Sequence, residues 1–168
     1  NIDFSNKFIL ELGPGNLPHR KFWLNKPKKF YAIDANEEFL SLTKKKVDCE
    51  YEGIKVLRSD NIPVTDDSID IILSFYSLEH IYHLDKMLLE FSRILKKDGM
   101  IIGVIPNEGG IAWGLGRYLT TRRFVKNNSD INYDKIICWE HPNFADEVLR
   151  KFDEHNFLFK KKNMHPIK

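Results

Sequence analysis

The sequence predicts an α/β fold: a doubly wound, mostly parallel sheet with helices on both faces. Three observations carry that expectation. Short apolar runs alternate with helical stretches at a regular rhythm, the runs are apolar at consecutive positions rather than at every second one, and glycine, proline or acidic residues stand where the runs end. Consecutive apolar positions mark strands buried on both sides, because crossover helices cover each face of a parallel sheet. Right-handed crossovers then wind the chain over both faces.

Phe8–Leu12 opens the series as a strand that breaks on the glycines of GPGN, and Phe30–Ile33 is the second, ending at Asp34. Between them NLPHRKFWLNKPKK leaves room for only a short or irregular helix, since Pro18 suits a first turn and Pro27 stops any continuation. Asn36–Lys46 reads as an amphipathic helix, with Phe39, Leu40 and Thr43 on one side and lysines in its last turns, where cations favour the helix dipole. Ile54–Leu57 is expected as the third strand and Asp70–Phe75 (DIILSF) as the fourth. Leu84, Met87, Leu88, Phe91, Ile94 and Leu95 recur at helical spacing, and KKDG at Lys96–Gly99 should end that helix with cations and a terminal glycine. Met100–Ile105 is a fifth strand closed by Pro106. The rhythm then breaks over 107–141, a polar and glycine-rich interval expected to be an insertion or lid over the sheet's carboxyl edge, with a helix near Ile111–Leu119. Asn143–His155 resumes as a helix and Phe157–Lys162 as a lysine-rich edge strand. At 168 residues the whole is expected to be one domain.

Composition narrows the function classes. The 26 basic and 24 acidic residues leave a formal charge of +2, so bulk charge supports no general attraction to nucleic acid or anionic membrane. Cys49 and Cys138 match no metal or redox spacing, and two distant thiols make no disulfide framework, which suits a reducing cytoplasm. No apolar run approaches the roughly 18 residues of a spanning helix, and NIDFSNK has no signal-peptide shape. The chain opens on Asn1 rather than methionine, so the lack of a targeting segment in these residues carries less weight.

In an open parallel sheet, ligands bind beyond the carboxyl ends of the strands. Gly13 and Gly15 let backbone approach a ligand with no Cβ in the way and can adopt positive φ. Asp34 follows Gly13 by 21 positions, close to the spacing at which an acid receives a pair of ribose hydroxyls. The bland alternative is a tight turn plus an Asp that caps the next helix. Further along, Arg58-Ser59-Asp60-Asn61-Ile62-Pro63 follows the third strand and IDIILSFYSLEHI follows a turn at Asp66-Asp67-Ser68.

Taken in order, ILELGPGN, YAID, the Asp60 loop, IDIILSFYSLEHI and RILKKDGMIIGVIPN resemble the class I S-adenosylmethionine-dependent methyltransferases of the type 11 group, over Phe8–Pro106. The resemblance implies a Rossmann-like sheet and S-adenosyl-L-methionine as cofactor. It implies that Glu11, Gly13 and Gly15 form the first motif, the loop lying against the cofactor's amino-acid part and the acid orienting its ammonium directly or through water. Asp34 is implied to bind the ribose hydroxyls, with Ala35 beside the adenine, Asp60 and Asn61 reading the adenine amino group, and Ile62 lining the ring. Ser74 and Phe75 are implied to face the methionine part through their backbone. Asn16-Leu17-Pro18 replaces a third small residue of the family's motif, which leaves the form of the first helix open.

Methyl transfer from a sulfonium is an in-line displacement and relies on positioning more than on chemical groups. A base is needed only where the acceptor loses a proton. His80 in SLEHI is the candidate, with Glu79 orienting or replacing it, and Glu140-His141 forms a second such pair; a structural or exposed histidine, and helix capping, are the bland alternatives. Tyr76 and Tyr82 read as packing or lid residues. Arg117, Arg122, Arg123 and Lys126 suit an anionic acceptor, or else a solvated helix. NEGGIAWGLGRYLTTRR and EHPNFADE loosely resemble methyltransferase-like proteins of polysaccharide gene clusters, so a small molecule or saccharide precursor is the expected acceptor. Two other classes compete. A nicotinamide oxidoreductase would use the glycine turn and Asp34, but Pro18 stands where its third glycine belongs. A non-catalytic methyltransferase-like binding module would keep the cofactor residues without transfer.

Overall fold

Backbone pairing, rather than apolar content alone, sets where the strands fall. The computed structural model describes residues 2–56, 61–106 and 142–158, with Arg123 and Asn127 besides. Five strands, β1 (Phe8–Leu12), β2 (Lys29–Asp34), β3 (Glu50–Lys55), β4 (Ile69–Phe75) and β5 (Leu95–Val104), form one parallel sheet in the order β3-β2-β1-β4-β5. The order runs outward from β1 to β3, then returns to the other side of β1 with β4. The switch point is therefore the crevice between β1 and β4.

The two sides of each strand feed different cores. Ile9, Phe30 and Leu73 pack with Leu17, Trp23 and Leu40 on one face. On the other, Leu10, Ile33 and Ile72 pack under α2 (Leu84–Ile94) and α3 (Ala145–Glu154) through Met87, Leu88, Phe91, Val148 and Phe152. Burying a side chain such as Phe91 is worth about 1.5–3 kcal/mol, so α2 is held chiefly by this stripe. The face between β1 and β2 is closed by α1 (Glu37–Lys44) and a 3-10 turn at Pro18–Phe22. Asn36 caps α1, its side chain accepting from the Glu38 N–H at 2.9 Å, and Glu37 and Glu38 complement the dipole.

Three expectations need correction. The third strand lies earlier, at Glu50–Lys55 rather than Ile54–Leu57, because it pairs residue for residue with Lys29–Asp34 and is otherwise half exposed. Its fit comes from Lys29 bridging Glu50 and Glu52, and from Tyr51, which stacks near Phe30 and donates to the Leu40 carbonyl. KKDG does not cap α2: the helix stops at Ile94 with Leu95 already extended, and the strand begins there. Leu95 pairs with Ile69 and Met100 with Ile71, so Lys96–Gly99 bulges opposite Asp70. Asp70 accounts for the bulge, accepting from the Phe8 N–H at 2.8 Å and pairing with Lys96 at 3.0 Å. Phe157 and Leu158 carry no strand, and Phe157 instead packs its ring 5.2 Å from that of Phe152. The remainder of that expected strand, the insertion with its inner helix, and Leu57 lie outside the described residues, where Arg123 and Asn127 alone are seen, helical and exposed.

Candidate active site

A cavity of about 580 Å³ opens beyond the carboxyl ends of β1 and β2, at the switch point with β4. That is where an open parallel sheet binds its ligand, and the size is that of a small-molecule site. The glycine loop forms its floor. Gly13 sits at φ +63° and donates to the Ile33 carbonyl at 2.8 Å, and a Cβ there would fall 2.4 Å from Ser77 Oγ. Gly15, at φ +51°, has the opposite surroundings: a Cβ would meet nothing within 4 Å, so its backbone faces open space. Thr43 Oγ1 donates to the Gly15 carbonyl, and Lys46 Nζ donates to both the carbonyl and the side-chain oxygen of Asn16. The end of α1 thereby fixes the loop. Leu17 then turns through the left-handed region at φ +47° with its side chain buried, and Pro18 starts the 3-10 turn. Asn16-Leu17-Pro18 thus gives a short turn in place of a first helix.

Asp34 ends β2 on the cavity wall, oriented by the Asn36 N–H, which donates to its Oδ1 at 2.8 Å. The rest of the carboxylate keeps acceptor capacity for a diol. Ala35 and Phe39 line the same end. Phe39, read from sequence as core, is 41% exposed because its ring faces the cavity.

Glu11 is only 1% exposed and lies on the other side of β1 from Leu10 and Leu12, under the 3-10 turn. Burial pushes its carboxyl above the ordinary range, opposed by His19, whose Nε2 stands 3.2 Å from Oε2. By geometry neither atom has a hydrogen-bond partner among the described residues. His19 went unnoticed in the sequence; a titratable side chain one turn past the glycines was the available signal. The cavity wall beside Glu11 is Leu12, Gly13 and Gly15.

At β4 the wall is Tyr76 and Ser77 rather than Ser74 and Phe75. Ser74 is fully buried, its Oγ without a hydrogen bond, and the Phe75 ring lies 4.7 Å from that of His19. His80 is exposed on the wall, at the end of a 3-10 turn spanning Leu78–His80. Glu79 beside it is buried, and its carbonyl accepts from the Asn143 N–H. Tyr76 and Tyr82 are exposed residues on the cavity wall. His83 and Met87 complete that side and were missed, since helical spacing placed Met87 in the core, where it also belongs. Ile62 is not on the wall: it is buried against α2, its N–H donating to Glu90 and its carbonyl accepting from Arg93. Asn61 is exposed at φ +58°, and Asp60 and His141 lie outside the described residues. Among the described residues no group of three His, Cys, Asp or Glu is placed to hold a metal, and no helix is long and apolar enough to cross a membrane.

Comparison with known proteins agrees with this geometry. A family model described as a methyltransferase domain matches residues 10–103, and the chain belongs to that family. It is 22% identical over 156 residues to the ribosomal RNA small subunit methyltransferase A of Pelagibacter ubique, covering 92% of this chain and 47% of that one. It is 33% identical over 73 residues to the ubiquinone/menaquinone biosynthesis C-methyltransferase of Campylobacter jejuni, covering 42% and 29%. The chain spans less than half the length of these curated relatives. Among solved structures it superposes with TM-score 0.61 and 16% identity on a Haloferax volcanii complex of the Trm112 methyltransferase activator with its proposed methyltransferase, covering 90% of this chain and 60% of that one. That likeness concerns the fold.

Family membership implies S-adenosylmethionine as the cofactor, and the residues present fit it. The loop at Gly15 opens onto space that a side chain would fill, Asp34 offers an oriented carboxylate, and Glu11 keeps a buried oxygen without a hydrogen bond.

Proposed function

We propose that the protein transfers a methyl group from S-adenosylmethionine to an acceptor that enters beside SLEHI. The observation that carries this reading is the convergence of Gly13, Gly15 and Asp34 on one cavity at the β1/β4 switch point. Asp34 receives the ribose hydroxyls, Ala35 flanks the adenine with Asp60 and Asn61 as its further partners, and the glycine loop cradles the amino-acid part. Glu11 balances the ammonium, directly or through water, and Ser74 and Phe75 support the wall from behind Tyr76 and Ser77.

When bound, the cofactor supplies a methyl group activated on a sulfonium. The chain's own residues then orient the partners and keep water out, which suffices for an in-line displacement. Where the acceptor must lose a proton, His80 stands on the wall to take it. Glu79, buried off the wall, acts through its neighbour, and His141 is the second candidate base.

The relatives' names span ribosomal RNA and quinone substrates, so they do not converge on one acceptor. The near-balanced charge favours a small molecule or saccharide precursor, anionic where it meets the arginines of 107–141, over nucleic acid. Calorimetry with S-adenosylhomocysteine and with NAD tests the cofactor. Heat is expected with the former, and heat with NAD alone would overturn the reading in favour of a nicotinamide enzyme.

A further inference from the structure

Tyr76 holds a backbone conformation that its side chain does not favour. It comes directly after β4 at φ +56°, in the left-handed region where a bulky residue is an outlier. Its N–H donates to the Val104 carbonyl at 2.9 Å, so the end of β5 pins it there. The neighbouring Ser77 is packed against Gly13, which fixes the next residue as well. Among the described residues no packing of the ring repays the strain: the side chain is 60% exposed and lies on the cavity wall at the switch point. Strain that persists in a chain over-determined by its surroundings points to a use at the site.

We propose that Tyr76 is a specificity-determining residue whose ring, presented to the cavity by this strained turn, recognises the positive charge of the sulfonium and so separates the charged cofactor from its neutral product. This rests on the methyltransferase reading above. A ligand with its hydroxyls at Asp34, after β2, and its amino-acid end on the glycine loop, after β1, lies in the same cavity whose β4 side is formed by Tyr76. Aromatic faces attract cations, and they attract an uncharged thioether far less. The turn therefore converts backbone strain into preference for substrate over product, which helps the product leave.

The test compares Tyr76→Gly, Tyr76→Asn and Tyr76→Phe by calorimetry with S-adenosylmethionine and S-adenosylhomocysteine, alongside thermal unfolding without ligand. Glycine accepts positive φ, so Tyr76→Gly should raise Tm by about 2–4 °C. The ratio of affinities should shift against S-adenosylmethionine by about three- to tenfold in Tyr76→Gly and Tyr76→Asn, and stay at the wild-type value in Tyr76→Phe. An unchanged ratio in the two ringless variants, or a lower Tm for the glycine variant, overturns the proposal. If the wild-type protein binds both ligands and only the ratio fails to move, the fault lies with Tyr76 alone. If the wild type binds neither, the methyltransferase reading falls and this proposal falls with it.

Discussion

Glu11 is an acid in the most buried strand of the sheet, and its energetics set stability against binding. Its carboxyl is pushed above the ordinary value of 4.5 by burial, with His19 opposing. An acid whose folded-state pKa is raised favours folding most fully below its unfolded pKa, and that contribution is lost as pH rises through the folded value. Glu11→Gln removes the titration while keeping the shape. Relative to wild type, its urea midpoint should therefore improve as pH is raised from 4.5 to 7.5, while its affinity for S-adenosylhomocysteine at pH 7.5 falls, because the ammonium loses a charged partner. Parallel midpoints at every pH would show that Glu11 carries no such burden. The carboxylate in ILELGPGN was legible as a site residue, because no apolar core asks for it. His19 was not, since its approach depends on the left-handed turn at Leu17, which no periodicity records.

At the level of elements, what the sequence made plain was whatever lies at the centre. β1, β2, β4 and α2 fall within one or two residues of their expected bounds, because both faces of those strands and one stripe of that helix are apolar. The edge strand β3 and the bulge at Lys96–Gly99 escaped, since pairing partners and a single carboxylate, Asp70, decide them. A link of the same kind joins the start of α3 to the cavity wall. The buried Asn143 side chain donates to the carbonyls of Leu78 at 3.1 Å and Ile81 at 2.6 Å, clasping the turn that carries His80. Asn143→Ala would take away the donor to the Ile81 carbonyl and leave the Leu78 carbonyl with the Ile81 N–H alone, and should cost about 1–3 kcal/mol, a fall in Tm of roughly 2–4 °C per kcal/mol. Asn143→Asp should be no better, because a carboxylate cannot donate. Thermal unfolding of the two variants decides it, and a wild-type Tm in both would remove the clasp.

At the scale of the whole molecule, the sheet has two wings, β3-β2-β1 and β4-β5, and among the described strands they share a single ladder, that of β1 with β4. The cavity sits over that seam. Gly13, Gly15 and Asp34 belong to one wing, while Tyr76, Ser77 and His80 come after the first strand of the other. A ligand that spans the cavity therefore adds to the packing and pairing that already join the wings, and it stabilises the folded state by mass action. At a free concentration 100 times its Kd the gain is about 2.7 kcal/mol, which corresponds to a rise in Tm of roughly 5–10 °C for a chain of this size. Asp34→Ala removes a charged acceptor and should weaken S-adenosylhomocysteine binding by about 1–3 kcal/mol. At the same ligand concentration the rise should then shrink to a few degrees or vanish, while the Tm without ligand changes little, because the Asp34 side chain is partly exposed and, among the described residues, accepts only from the neighbouring Asn36 N–H. Thermal unfolding of wild type and variant with and without S-adenosylhomocysteine makes the comparison. A full shift retained by Asp34→Ala would mean that the ligand does not reach the end of β2, and the tie between the wings would have to be sought in the glycine loop and Tyr76 alone.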